Sequence, residues 1–192
     1  MQEKIAIDIV LLLPENISNI CKELNRSLEI EDYVSFENGY YPHITLGMGS
    51  LLVESIDSFK SELGSLLEKS NMPEVTLTSL GSGKYCHFNL YVSEELQTLH
   101  NAVFDLITKH SAGVVTKENF FELSESSSII DWVNNFKINS AYENYHPHIT
   151  LGKGVTDTQL EFPITFKPIS VGLFHLGKHG TCKKLLNSFE LK

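Results

Sequence analysis

Two ten-residue segments of this chain are nearly the same: Tyr40-Tyr-Pro-His-Ile-Thr-Leu-Gly-Met-Gly49 and Tyr145-His-Pro-His-Ile-Thr-Leu-Gly-Lys-Gly154. They differ only at Tyr41/His146 and Met48/Lys153, and the second begins 105 residues after the first (40 against 145) in a chain of 192. A bare His-x-Thr carries little weight, because 8 His in a chain of this length give one by chance about every second time. A match this long is different: the chain has placed one strand twice. In an extended strand residues i and i+2 share a face, so His43 projects with Thr45, and His148 with Thr150. Pro42 and Pro147 stand where a strand can begin without an N–H to donate. If the halves pack about a pseudo-twofold axis, two imidazoles and two hydroxyls surround one bound group.

That set fits phosphodiester chemistry. Imidazole titrates near ~6.5, so one ring can accept a proton while the other donates one. Threonine hydroxyls are compact donors for non-bridging phosphate oxygens. No acidic cluster flanks either motif, so neither a metal nor another cofactor is expected. Two other readings of the same residues stand beside this one. The histidines could be a core-edge pair, each bonded by its neighbouring threonine. His146-x-His148 also puts two imidazoles on one strand face, a spacing that zinc sites use, although Tyr41 occupies the matching position of the first copy. Tyr41 and His146 are expected on the cleft side, where Tyr41 offers a ring for a base. Phe174 and His175 follow the penultimate strand, and Phe174 is the further substrate-binding candidate, although a core role is the commoner fate of such a residue. His87, His100, His110 and His179 have no partner visible in the sequence and read as structural or surface residues.

The elements that must position these side chains are legible as periodicities. Ile5 to Leu13 reads as a buried strand broken by Asp8, and Glu15 to Leu28 as a helix with Ile17, Ile20, Cys21, Leu24 and Leu28 inward. Residues 42–53 read as extended, followed by a helix burying Ile56, Phe59, Leu63 and Leu66. Val75 to Leu80 and Tyr85 to Val92 form an expected hairpin; in the second strand Cys86, Phe88, Leu90 and Val92 alternate with Tyr85, His87, Asn89 and Tyr91. Ser93 caps a helix burying Leu96, Leu99, Val103 and Leu106, with Glu94 and Glu95 in its first turn. Ser124 to Phe136 is a further helix, and strands resume at Pro147–Leu151, Phe162–Phe166, Ile169–Phe174 and Lys183–Leu191. Late strands joined by short turns favour an α+β class with mainly antiparallel sheet.

Composition narrows the partners. Fifteen Lys and Arg against 24 acids leave −9, so a grip on long nucleic acid through its phosphates is not expected. Five lysines (167, 178, 183, 184 and 192) against the single acid Glu190 after Pro163 form either a solvated basic surface or a phosphate-attracting rim. Cys21, Cys86 and Cys182 are odd in number and far apart, which suits a reducing cytoplasm. No apolar stretch approaches the ~20 residues of a membrane span, and Asp8 and Pro14 argue against a signal peptide. A monomer with no membrane partner is expected.

The paired Pro-His-Ile-Thr-Leu segments resemble the signature of the 2H phosphoesterase superfamily, in particular its LigT-like or 2′-5′ RNA ligase-like branch. The resemblance covers the chain in layout: one domain over residues 1–192, two lobes related by the repeat, two sheets facing a central cleft, helices outside. It implies metal-independent hydrolysis of a cyclic or linear phosphodiester, such as a 2′,3′-cyclic phosphate or a 2′-5′ linkage, on a small nucleotide or RNA end. It carries catalysis onto His43, Thr45, His148 and Thr150, with His148 as general base and His43 as general acid. The alternatives are a protein that binds such ligands without turnover, and a hydrolase whose histidines hold a metal. Both motif strands are expected to be central.

Overall fold

The computed structural model describes residues 2–28, 35–83, 85–122, 127–156 and 159–191. In chain order the regular elements are β1 (Lys4–Leu12), α1 (Glu15–Arg26), β2 (His43–Leu52), α2 (Ile56–Leu67), β3 (Val75–Gly81), β4 (Tyr85–Leu90), α3 (Glu94–Lys109), α4 (Ser127–Asn134), α5 (Phe136–Asn139), β5 (His148–Lys153), β6 (Ile164–Phe166), β7 (Ser170–His175) and β8 (Lys184–Glu190). Two four-stranded sheets result, ordered β2-β1-β7-β8 and β5-β4-β3-β6. Every pairing is antiparallel, as the α+β reading anticipates. The first sheet stacks Ile7, Ile9 and Leu11 of β1 with Ile44, Leu46, Val171 and Leu173, all without exposure. The second contributes Val75, Leu77, Phe88, Ile149 and Leu151 to the same apolar cluster.

The sheets do not follow the two halves of the sequence. β3 and β4, from the first half, join β5 and β6 in the second sheet, while β7 and β8, from the end, complete the first. What repeats is a smaller unit, strand–helix–motif strand: β1-α1-β2 and β4-α3-β5. In each the motif strand pairs with the strand that opens the unit, so β2 and β5 are edge strands rather than the central ones expected. They are central in another sense, because the two edges meet: Tyr145, just before β5, donates its hydroxyl proton to the Thr45 carbonyl at 3.0 Å.

Each unit's helix crosses to the other unit's motif strand. Asn25 of α1 donates to the Leu151 carbonyl at 2.6 Å, and His100 of α3 uses Nδ1 on the Leu46 carbonyl at 2.7 Å. Leu46 and Leu151 are the same position of the repeat, and both are bulged. Val10 and Ile9 pair with Thr45 and Gly47, skipping Leu46; His87 and Cys86 pair with Thr150 and Gly152, skipping Leu151. A bulge leaves one residue out of the ladder, and a buried donor from the crossing helix takes up its carbonyl. The glycine after each bulge makes room for that helix: a Cβ on Gly47 would lie 2.9 Å from Ile107 Cδ1, and one on Gly152 3.3 Å from Asn25 Nδ2.

Most helix expectations hold within a residue or two. Ser93 accepts from the Leu96 N–H at 3.2 Å, as a capping serine should. The helix expected over 124–136 is two pieces broken at Asn135, and residues 124–126 lie outside those described. Cys21, Cys86 and Cys182 are all free thiols and buried. No helix among the described residues is long and apolar enough to cross a membrane.

Candidate active site

Each motif histidine is locked in the same way. His43 has Nδ1 2.7 Å from the Tyr41 carbonyl, and His148 has Nδ1 3.0 Å from the carbonyl of His146. A carbonyl can only accept, so Nδ1 carries the proton in both neutral rings and Nε2 keeps its lone pair for chemistry. The bulge one residue beyond Thr45 and Thr150 resets the strand just after the residues that must face the ligand.

Beyond that shared lock the surroundings part. His43 has 17% of its side chain exposed and lies beside Asp8 of β1. Its Nε2 lies 3.8 Å from Asp8 Oδ2 and 3.7 Å from Cys182 Sγ. Thr45 donates to the same Asp8 oxygen at 3.0 Å. Asp8 is fully buried, and its Oδ1 has no hydrogen-bond partner among the described residues. Burial holds the Asp8 carboxyl well above the usual carboxylate range, against the opposing effect of the bonds from Thr45 and Cys182. Burial likewise pushes His43 down to about 4; the Tyr41 carbonyl opposes this and His148 adds to it. Both shifts favour a neutral pair.

His148 sits in the open. It lines a pocket of about 270 Å³ with His87, Asn89, Leu90, Val92, His146 and Pro147. Its residue surface is largely exposed, yet its ring is crowded by protein. That desolvation lowers its proton affinity, opposed by the His146 carbonyl, with smaller like-charge contributions from His87 and His146. The His87 ring stands 5.7 Å away in an edge-on arrangement. Thr150 makes no side-chain hydrogen bond among the described residues, in contrast to Thr45.

The structure places His43 and Thr45 on β2 and His148 and Thr150 on β5, two strands that touch, with Tyr41 and His146 exposed two residues ahead of the histidines. Phe174 is fully buried and packs its ring 5.3 Å from that of Tyr41, so it backs Tyr41 and offers no surface of its own. Tyr145 is buried and stacks on His100 at 3.8 Å, which rules it out as a base platform. The basic stretch near the C-terminus is partly neutralised: Lys183 lies 3.7 Å from Glu122 and over the Tyr40 ring, and Lys167 is 4.0 Å from Glu74; Lys192 lies outside the described residues. Sequence reading passed over Asp8, Cys182 and His87. For Asp8 the signal was a lone acid on the same strand face as Val10 and Leu12; for His87 it was the polar alternation with Asn89. For Cys182 no local signal existed. The metal-like grouping is also not the expected one: among the described residues it is Asp8, His43 and Cys182.

The sequence profile of the 2′-5′ RNA ligase superfamily matches residues 14–167. By sequence, no curated protein matches the chain. By structure, TT0787 of Thermus thermophilus is similar at TM-score 0.63 and 13% identity, over 97% of this chain and 98% of that one. E. coli LigT complexed with 3′-AMP is similar at TM-score 0.60 and 16% identity, over 99% of both chains. At these identities the structures speak for the fold alone. The profile covers most of the sequence and both histidine motifs, so the chain belongs to the 2′-5′ RNA ligase superfamily, with the LigT-like fold.

Proposed function

We propose that residues 1–192 act as one two-lobed unit that hydrolyses a small phosphodiester, a 2′,3′-cyclic phosphate or a 2′-5′ linkage on a nucleotide or RNA end, without a metal. Family and fold support phosphodiesterase-type activity in general. The observation that supports the finer reading is the duplicated lock, which leaves the Nε2 lone pair of each motif histidine free on two strands that touch. E. coli LigT has been solved complexed with 3′-AMP, NADP+ and ATP, which supports a small nucleotide as ligand. Tyr41, exposed and backed by Phe174, offers a ring to a base, and His146 stands at the mouth of the His148 pocket.

The environments support a division of labour opposite to the one the resemblance implied. His43, pushed down to about 4, is neutral near pH 7 and suits the general base. His148, the more solvated ring, suits the general acid. Water attacks phosphorus as His43 Nε2 takes its proton; a P–O bond forms. The bond to the leaving ribose oxygen breaks as His148 Nε2–H protonates that oxygen, leaving a phosphomonoester. The threonine hydroxyls donate to the non-bridging oxygens as charge builds. For Thr45 this needs its proton released from Asp8. The raised proton affinity of Asp8 provides that, because a neutral carboxyl can donate to Thr45 and turn the bond around.

The test is turnover of 2′,3′-cyclic nucleotides and 2′-5′ oligoadenylate with chelator present. The proposal expects an undiminished rate and a bell-shaped kcat/KM profile with its acid limb near about 4 and its alkaline limb below 6.5. That profile lies below the near-neutral one that two ordinary imidazoles would give. Tight binding without turnover would leave a ligand-binding protein instead; loss of rate on chelation would leave a metal hydrolase.

A further inference from the structure

We infer that Asp8, His43 and Cys182 form a binding site for a thiophilic divalent cation of the Zn²⁺ class, and that filling it silences the His43 half of the catalytic pair. The second clause rests on the function proposed above; the first stands on geometry alone. The three potential ligand atoms form a nearly equilateral triangle: Asp8 Oδ2 to His43 Nε2 is 3.8 Å, His43 Nε2 to Cys182 Sγ is 3.7 Å, and Cys182 Sγ to Asp8 Oδ2 is 3.7 Å. Tetrahedral zinc bonds imply separations of about 3.4 Å between N and O and about 3.6 Å from either to S. The triangle needs to close by only a few tenths of an ångström. As hydrogen bonds the same three contacts are long.

The supports around the triangle are those a metal site uses. The Tyr41 carbonyl accepts from His43 Nδ1–H and so aims the Nε2 lone pair inward. Thr45 donates to the ligating carboxylate. The backbone ties Cys182 to the motif, since the Tyr41 N–H donates to the Cys182 carbonyl at 2.8 Å. The second independent observation is the fully buried Asp8, whose Oδ1 has no hydrogen-bond partner among the described residues, a group that a neighbouring cation would compensate. Binding converts Cys182 to a thiolate and Asp8 to a carboxylate, releasing their protons to solvent. One dication with these two anions is then neutral inside a buried site. A thiolate and an imidazole select zinc-like ions over Mg²⁺ or Ca²⁺, which need oxygen ligands. The ion enters past His43, the one of the three with accessible surface, and fills the lone pair that proton transfer needs.

Co²⁺ serves as the spectroscopic probe and Zn²⁺ as the competitor, on the full chain under reducing conditions. The expected result is one Co²⁺ per chain with a thiolate-to-cobalt absorption band that Zn²⁺ erases. Cys182→Ala abolishes the band, and Asp8→Asn, which keeps the volume, weakens binding by more than about 100-fold, beyond the usual cost of losing an outer support. His146→Ala leaves the band intact. In the hydrolysis assay Zn²⁺ inhibits the unmodified chain, while Cys182→Ala loses that inhibition relative to its own metal-free rate. A band that survives Cys182→Ala, no thiolate band at all, or loss of the band on His146→Ala would each overturn the site. Because the band needs no substrate, an absence of turnover defeats the proposed function and leaves the metal site standing or falling on its own.

Discussion

His43 and His148 occupy one position of a duplicated strand, with the same bulge ahead and the same carbonyl behind, yet they stand in different solvents. His43 shares its surroundings with a buried carboxyl and a thiol; His148 shares an open pocket with His87, His146 and Asn89. The shared features are those the strand itself imposes. The differing ones come from whatever lies across the sheet: Asp8 from β1 on one side, His87 from β4 on the other. Duplication supplies two like groups, and the neighbouring strands make them unlike enough to serve as acid and base.

The sharpest way to break the comparison is to remove each ring. His43→Ala and His148→Ala should each lower the rate by about 10²–10⁴, some 3–5 kcal/mol of barrier. The double variant should fall far short of the sum, because both act in one step. A substrate with a good leaving group should rescue His148→Ala and leave His43→Ala slow. Rescue of His43→Ala instead restores the assignment that the resemblance implied; full activity in both ends the catalytic reading. Thr45→Val and Thr150→Val should cost less, since proton transfer survives.

The dry half should also show in stability. Folded His43 holds its proton less tightly than unfolded, so its contribution is complete above about 6.5 and is lost as pH falls toward about 4. The span corresponds to about 3 kcal/mol at most, for a side chain only 17% exposed. Asp8 acts oppositely: its raised affinity stabilises the folded chain at low pH and the gain disappears as pH rises. The comparison is therefore made against His43→Gln. Its denaturation midpoint should fall less than that of the parent between pH 6.5 and 4; equal slopes would mean that His43 is not desolvated.

How much of this was legible follows the same division. The motif residues, their common face, the capped helix after Ser93 and all eight strand positions come from local pattern. Sheet membership does not: the β3–β4 hairpin was legible, but nothing near Val75–Gly81 announces that β3 also pairs with β6 from the second half. Cys182 is 139 residues from His43, and its approach is made by the C-terminal strands folding back. Phe174 alternated correctly but ended beneath Tyr41, because the depth of a side chain depends on what covers it.

The bulges offer a test of what the two halves share. His100→Leu and Asn25→Leu each strand a buried carbonyl, of Leu46 or Leu151, and should cost about 1–3 kcal/mol. Each side chain also accepts from a backbone N–H, His100 Nε2 from Tyr142 at 2.9 Å and Asn25 Oδ1 from Phe36 at 3.3 Å, and His100 should cost the more because its ring also stacks on Tyr145. Urea midpoints at unchanged m-value measure both. If either substitution is neutral, the bulge carbonyl on that side is satisfied without the crossing helix.

The smallest expected effect belongs to His87. It lies beside His148, edge-on at 5.7 Å, and its own Nδ1 is 3.2 Å from the Tyr85 carbonyl. His87→Ala should leave the acid limb of the profile, set by His43, in place. It should move the alkaline limb upward, because a like charge that depresses His148 is removed. The pocket also widens where His87 lines it, so KM should rise a few-fold while kcat changes less, as expected for a binding contact made equally in both states. A shift of the acid limb instead would mean that the solvated half governs both proton transfers, and the contrast between the two histidines would lose its chemical meaning.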